Sequence, residues 1–548
     1  MTPPGDAADV WDYVIVGAGS AGCVLANRLS ADGRSRVLLL EAGGGDRHPL
    51  IHMPKGMARL VMDPRHCWHF PVAQPRVPGE AAGETWVRGL GLGGSSAING
   101  MIYVRGQPED YDEWEARGAA GWGWSTMKAA FRAIEDHDLG DDGVRGSGGP
   151  VHVSTRHFRY PVADALIAAG EQMGLARRDD LNREDQEGVG YYAHNIRGGR
   201  RQSAATVFLK PARGRPNLTV VTGAMADRIL FDRGRAVTVV AQVGGVQRRF
   251  AVAGEVILAA GTLMSPAILQ RSGIGPGAVL RAAGVETLVD SPDVGARMRD
   301  HLGFSMAYRL KHDRGINHEF YGRGLWKNIA RYYLTRSGPL ATGPFEVGAF
   351  VRTTSETDRP DVQLYMGGFT FARGGDDNFP VPLADVERAP GATCYGQLLR
   401  LTSEGSVRIT SADPAVLPEL RPNWMTTADD RAAAVAMIRY MRRYMSQPAL
   451  SGVIAHEVFP GAQQESDEAL FDLFRRLSTC GTHAVASCRM GSDNAAVVDA
   501  DLRVNGVTGV RVVDCSVMPA PVSGNTNAPA MALAWAAADR MMKSDRPA

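Results

Sequence analysis

"DYVIVGAGSAGCVLANRL", Asp12 to Leu29, is the stretch on which the fold turns. A continuous apolar run, Tyr13 to Val16, is followed by Gly17, Gly19 and Gly22 and then by Val24, Leu25 and Leu29 at helical spacing. This is GxGxxG set between a strand and a helix. The first glycine permits a tight turn, the second lets the backbone approach a pyrophosphate, and the third packs helix on strand. The helix then starts with Ser20 and Ala21, whose N–H groups are free to hold the anion. Nineteen residues past Gly22 a second run, "RVLLLEAG", reaches Glu41 and Ala42, placing a carboxylate where an adenosine ribose would hydrogen-bond. The spacing predicts a dinucleotide-binding α/β domain and leaves NAD and FAD both open.

The bulk composition narrows the class. A chain of 548 residues, 44% hydrophobic and 22% charged, exceeds what one core fills and predicts two or more domains. Lys+Arg 60 against Asp+Glu 59, scattered along the chain, gives no phosphate-tracking surface, so nucleic acid is not an expected partner. The six cysteines, Cys23, Cys67, Cys394, Cys480, Cys488 and Cys515, contain no CxxC pair and read as buried thiols in a reducing compartment. "HCWHF" gathers His66, Cys67 and His69 without a second ligand pair, so no metal site is expected. The N-terminal stretch has no signal-peptide pattern and no apolar run reaches the ~20 residues of a membrane span. The expectation is a cytoplasmic protein without an integral membrane segment, with peripheral membrane attachment left open.

Three further segments carry the same kind of signal. "VRGLGLGGSSAINGMIYVRGQPEDYDEW", Val87 to Trp114, offers backbone that a flat ring could approach along Gly93-Gly94-Ser95-Ser96, side-chain-free at the two glycines, with the Asn99 amide just behind. Its continuation "AINGMIYV" is too apolar for a solvated loop. "EVILAAGTLMSPAILQRSGIG", Glu255 to Gly275, reads as a buried strand, a glycine turn and a helix. "VRVVDCSVMPAPVSGNTNAPAMALAWAAADRMM" reads as a strand, a loop with Asn525 and Asn527, and a helix with Pro529 near its first turn.

Taken in order with "VGARMRDHL" (Val294 to Leu302) and "HAVASCRMG" (His483 to Gly491), these segments resemble the glucose-methanol-choline (GMC) family of FAD oxidoreductases from end to end, closest to its choline-dehydrogenase-like bacterial branch. The resemblance implies an FAD-binding Rossmann-like α/β domain of residues 1–155, 206–301 and 482–548. Interleaved with it would be an α+β substrate domain of residues 156–205 and 302–481 with an antiparallel sheet. It implies FAD contacts at Gly17, Gly19, Ser20, Ala21, Gly22, Glu41 and Ala42, and along Gly93, Gly94, Ser95, Asn99, Gly100, Met101 and Ile102. Further FAD contacts would fall at Ala226, Asp514, Cys515 and Asn527. Some members bind the flavin covalently through a histidine at the position of Ile98; isoleucine cannot form that bond, so the FAD is expected to be non-covalent. The helix starting about Pro529 would aim its positive end at the flavin's N1–C2 side.

Oxidising an alcohol removes a hydroxyl proton and a hydride, so a protein around FAD must supply a base and orient the substrate. His483 matches the family's catalytic histidine and is the expected general base, with Asn525 matching the residue that shares the substrate oxygen and orients it by a hydrogen bond; histidine's ordinary pKa of ~6.5 suits the task. Where the family commonly has proline and then glycine after this histidine, the chain has Ala484 and Ala486. Glu346 in "GPFEVGAF" matches an acid that faces the trimethylammonium group in choline-oxidising relatives, and a structural hydrogen bond is the competing reading. "GRGLWKNIARYYL", Gly322 to Leu334, predicts an amphipathic helix that roofs the substrate cavity or belongs to the core. "DVQLYMGGF" and "GSVRIT" read as strands of the antiparallel sheet. The expected activity is FAD-dependent oxidation of a primary alcohol by a dehydrogenase or oxidase, with oxygen or a quinone or protein carrier as electron acceptor. A flavin-containing lyase and a choline-specific dehydrogenase are the alternatives.

Overall fold

The computed structural model describes residues 10–77, 79–155, 158–312, 315–372 and 385–544. The opening run forms the strand Val10–Val16, with Val14 and Ile15 fully buried, and the helix Ser20–Leu29 follows after the glycine turn. At Gly22 a Cβ would stand 1.8 Å from the Gly17 carbonyl oxygen, and at Gly17, where φ is +101°, it would stand 2.5 Å from the Ala259 oxygen. No side chain fits at either position, so the turn is closed by glycine alone.

Seven strands make the first sheet, in the order Leu218–Thr222, Val37–Glu41, Val10–Val16, Val246–Leu258, Arg235–Val243 and Ala224–Asp232, with Val510–Val512 joining the far end of Val246–Leu258. The first four strands run parallel, as a doubly wound domain requires, and the last three form an antiparallel meander. The C-terminal helix Asn527–Ser544 packs against Ser20–Leu29. It begins two residues before Pro529, so the proline lies inside the first turn, where its missing N–H costs nothing.

The second sheet is almost wholly antiparallel, in the order Ile454–Phe459, Leu302–Leu310, Gly391–Leu398, Val362–Gly367, Val347–Val351, Gly188–Tyr191 and Arg177–Arg178. Thr479–Cys480 pairs with the start of Leu302–Leu310. The expected strand in "DVQLYMGGF" is the one at Val362–Gly367. The strand in "GSVRIT", however, lies outside this sheet. Ser406–Arg408 pairs only with Glu419–Arg421, and its Val407 packs with Phe70, Trp86 and Leu263. Alternation identifies a strand; its partner is set by long-range packing the local pattern does not contain.

The two sheets have separate hydrophobic cores. One joins Val14, Leu39, Ile257, Val512 and the C-terminal helix; the other joins Leu166, Phe304, Leu364 and the helix Ala428–Met445. Between them runs a cavity lined by residues of both, His483 among them.

Candidate active site

A bulge makes that position. The segment after Cys480 runs antiparallel to the segment before Leu302, paired at Cys480↔Leu302 and again at Val485↔Arg299. Between those pairs lie Asp300 and His301 on one side and Gly481 to Ala484 on the other. The longer side must loop out, and bulges of this kind re-aim side chains beside active sites. Asp300 fills the loop: one carboxylate oxygen accepts the N–H of both His301 and His483, each at 2.7 Å, and the other accepts the Cys480 thiol at 3.1 Å. Thr482 and Ala486 take left-handed φ values of 62° and 70°. Ala486 therefore occupies a conformation that glycine adopts freely, at a cost of about 1 kcal/mol or more. The family's preference for glycine there has this physical origin.

Hydrogen-bond logic fixes the protonation of His483. Tyr192 donates its hydroxyl to the Leu364 carbonyl at 2.7 Å, so it accepts from Gln363 Nε2 at 3.0 Å. That turns the Gln363 amino group toward Asn525 Oδ1, 3.2 Å away, and leaves the Asn525 amino group facing His483 Nε2 at 3.1 Å. An amide N–H can only donate, so Nε2 is the bare nitrogen and the ring proton sits on Nδ1. Nδ1 faces His301 Nδ1 at 3.1 Å, which must accept; the His301 proton is then on Nε2, toward the carbonyls of Leu399 and Val522 but not aligned for a good bond. Burial drives His301 down to about 4 and His483 well below its ordinary value, the latter helped by His301 and the Arg88 cation. Burial also pushes the Asp300 carboxyl up to about 6, against Arg88 and its hydrogen bonds.

His483 and Asn525 line a cavity of about 570 Å³, within the range that takes a large organic ligand. Gly17, Gly19, Ser20, Ala21, Glu41 and Ala42 line the same cavity, as do Gly94, Ser95, Ile98, Asn99, Gly100, Met101, Ile102, Ala226, Asp514, Cys515 and Asn527. Three expected positions do not. Gly22 is consumed in packing on Gly17. Gly93 turns the chain at φ +95° and donates its N–H to Ala18. Glu346, only 1% exposed, points away from the cavity although Phe345 lines it. Glu346 accepts the Tyr160 hydroxyl at 3.0 Å and stands 3.4 Å from Lys55 Nζ, which also donates to the Gly343 carbonyl and lies 5.4 Å from both the Phe320 and Phe369 rings.

The walls fit an adenine dinucleotide. Space around Gly19 and Gly261 is open to 4 Å, and no backbone partner takes the N–H groups of Ser20 and Ala21 at the helix start. Glu41 accepts from Ala18, Gly43 and Gly91 N–H groups, which leaves a lone pair on Oε2 for a ribose hydroxyl. Asp514 holds the Gly261 N–H and the Ser265 hydroxyl, and Asn527 accepts the Ser20 hydroxyl, so these residues brace the two helix ends at the cavity. Trp68 and Phe70 of "HCWHF" form cavity wall, while His69 Nε2 bonds the Val61 carbonyl; among the described residues no three His, Cys, Asp or Glu side chains gather as a metal site.

One group escaped the sequence reading. Arg201, 1% exposed, donates to the carbonyls of Ile51 at 2.9 Å and Asn99 at 2.7 Å and to Asn99 Oδ1 at 2.7 Å. With Asn99 Oδ1 also accepting the Met101 N–H, the Asn99 amino group must face elsewhere, and the cavity is where it lies. Nothing in "GGRRQSAA" marks one arginine of the pair as buried.

The family model described as GMC oxidoreductase matches residues 11–303 with its N-terminal part and 402–534 with its C-terminal part. The chain belongs to the GMC oxidoreductase family. It is an FAD-dependent oxidoreductase acting on the CH–OH group of alcohols, with a second substrate as electron acceptor. It is 37% identical to an alcohol dehydrogenase [acceptor] of Pseudomonas putida over 545 residues, which is 97% of this chain and 96% of that protein. It is 38% identical to an oxygen-dependent choline dehydrogenase of Paraburkholderia phymatum over 540 residues, 98% of this chain and 93% of that one. Among solved structures it resembles a GMC-fold neighbour, the pyridoxine 4-oxidase of Mesorbium loti, with TM-score 0.87 and 32% identity over 97% of this chain and 99% of that. Formate oxidase of Aspergillus oryzae gives TM-score 0.89 at 25% identity, covering 98% and 99%. No helix among the described residues is long and apolar enough to cross a membrane.

Proposed function

We propose that this GMC oxidoreductase converts an uncharged primary alcohol to its aldehyde, with His483 as general base, Asn525 as the group that orients the alcohol oxygen, and FAD held without a covalent bond. The observation that carries this is the bare Nε2 of His483, held in that state by an amide whose orientation is itself fixed and opening on the cavity. FAD, when bound, supplies the acceptor for the hydride that leaves the alcohol carbon. The chain's own residues do the rest. The alcohol hydroxyl takes the place of the Asn525 N–H at the His483 Nε2 lone pair, and its proton passes to Nε2 as the C=O bond forms; the displaced Asn525 amino group would bond the same oxygen; and Phe70, Phe345 and Tyr365 line the cavity and exclude water from it. Ile98, at the cavity wall, offers no atom for attachment. The division into an FAD-holding unit and a substrate unit at the sequence boundaries given above is supported by the two cores, except that Ala193, Ala204 and Ala205, within residues 156–205, pack in the FAD-side core.

The base must be neutral to act. Because burial lowers His483 far below 6.5, and Asp300 keeps its charge down to about pH 6, kcat/KM is expected to be flat across pH 7 to 8 and to fall only as pH drops through about 6 and below. A pH–rate profile with its acid midpoint above 7 contradicts the assignment of His483.

An uncharged substrate follows from Lys55. The carboxylate that could greet a cation is buried against an ammonium that already sits between two phenylalanine rings. A quaternary ammonium alcohol therefore forgoes about 2 kcal/mol of recognition, a factor of about 30. The names of the choline dehydrogenase relatives favour the second reading, choline itself. We expect a neutral aromatic or aliphatic primary alcohol to exceed choline in kcat/KM by about 30-fold or more; the reverse order supports the choline reading.

A further inference from the structure

The helix Gly322–Thr335 packs one side on a small core, as a core helix does, but it lines no part of the active-site cavity and carries a second apolar side that faces out. Asn328 and Tyr332 face inward, Asn328 bonding Glu319 and Tyr332 bonding the His52 carbonyl at 3.4 Å, above a small core of Met53, Leu340 and Ala341. Leu325 and Ile329 are half-buried, Ile329 against that core, whereas the remaining large apolar side chains face out. Leu334 is 83% exposed and Trp326 72%, more than any other large hydrophobic residue described, and Tyr333 is 52% exposed. Trp326, Ala330, Tyr333 and Leu334 stand at i, i+4, i+7 and i+8, which is one continuous stripe. Beside the stripe are Arg323, Lys327 and Arg331, with Arg336 just past the helix end over the Tyr333 ring at 5.4 Å, and the helix carries no acid. Contiguous apolar surface of this kind marks an interaction site rather than ordinary solvent-facing helix.

We propose that this helix lies in the surface of an anionic lipid bilayer, with Trp326, Tyr333 and Leu334 entering the interface and the four cations meeting lipid phosphates. A tryptophan, a leucine and a tyrosine on one side with basic residues flanking them is the composition of an interfacial helix, and each cation adds attraction to an anionic surface. A second copy of the chain fits the face poorly. A two-fold interface brings the same patch against itself, which here sets four cations against four cations. The location gives the contact a use. The helix rests on the segment through Met53, and Met57 and Val61 of that same segment line the active-site cavity, so docking places the bilayer one layer of structure from the site.

The test is co-sedimentation of the FAD-loaded protein with vesicles of phosphatidylcholine containing about 40% phosphatidylglycerol, against pure phosphatidylcholine, at low salt and in about 0.5 M NaCl. The expected result is binding at least about tenfold tighter to the anionic vesicles at low salt, mostly released by salt. The double variant Trp326→Glu with Leu334→Glu is expected to lose the binding while turning over a water-soluble alcohol at the wild-type rate. Equal partitioning to both vesicle types, no partitioning to either, or unchanged binding by the double variant overturns the proposal. So does a wild-type dimer in light scattering that the double variant dissolves while vesicle binding is absent.

Discussion

His483→Ala is expected to lower kcat for alcohol oxidation by about 10³-fold while the protein keeps its full complement of FAD. The size comes from the loss of the one imidazole that lines the cavity among the described residues, since the His301 ring behind it is turned with its accepting Nδ1 toward His483 and cannot replace it. The retention of FAD follows from where His483 is anchored. It bonds Asp300 through its backbone N–H, which alanine preserves, and Asn525 and His301 through its ring. None of those contacts belongs to the Gly17–Ser20 turn or to Glu41, where the dinucleotide's adenosine and pyrophosphate would be held. KM should change less than kcat, because the group acts on the hydroxyl proton as it leaves rather than on the bound alcohol. Absorbance at the flavin band per mole of protein and a steady-state titration with one alcohol read both effects. Turnover within about threefold of wild type, with FAD present, removes His483 from the role of base.

Arg201→Met should do the opposite: strike the cofactor and the fold before the chemistry. The guanidinium has no carboxylate acting on it among the described residues, and burial alone pulls it down to about 9, so it remains a cation held by carbonyl dipoles. Removing it takes the arginine donor from the carbonyls of Ile51 and Asn99, at about 1 to 3 kcal/mol each, and leaves the Asn99 side-chain oxygen with the Met101 N–H alone. A loss of about 4 kcal/mol corresponds to a fall in melting temperature of about 4 °C for a chain of this length. The segment through Ile51 and the wall through Asn99 also lose their common tether, and the Asn99 amide becomes free to flip, so less FAD should survive gel filtration. Arg201→Lys keeps the charge but offers three donors on one atom instead of a planar fork, and should fall between the two. A normal melting temperature with full flavin content in the methionine variant contradicts the tethering role.

Much of this was legible in the chain because the glycines of the first turn have a local reason. Gly17 and Gly22 are there for contacts within twenty residues of one another or across one adjacent strand, so their spacing announces the turn. Likewise "AINGMIYV" reads as buried because its apolar content exceeds what a loop tolerates, and Met101 to Val104 are indeed inside. What the sequence hides are partnerships between segments far apart. Glu346 looks like a substrate-facing acid until Lys55, 291 residues away, is found beside it. His301 stands in a motif noticed for its resemblance, yet its role depends on meeting His483 across 182 residues. The helix at Gly322 shows its apolar stripe in the sequence, but periodicity cannot say whether that stripe faces in or out. Ser406–Arg408 shows the same limit for strands.

We propose that an alcohol in this cavity gives its proton to His483 and its hydride to FAD. The measurement that bears on this is anaerobic mixing of the FAD-loaded protein with a neutral primary alcohol, following the flavin absorbance, with His483→Ala alongside. The wild-type flavin band is expected to bleach within the turnover time, with the aldehyde appearing in equal amount and bleaching in the variant slower by about 10³-fold. A wild-type flavin that stays oxidised while alcohols that bind are left unchanged would contradict it, as would bleaching at the same rate in both proteins.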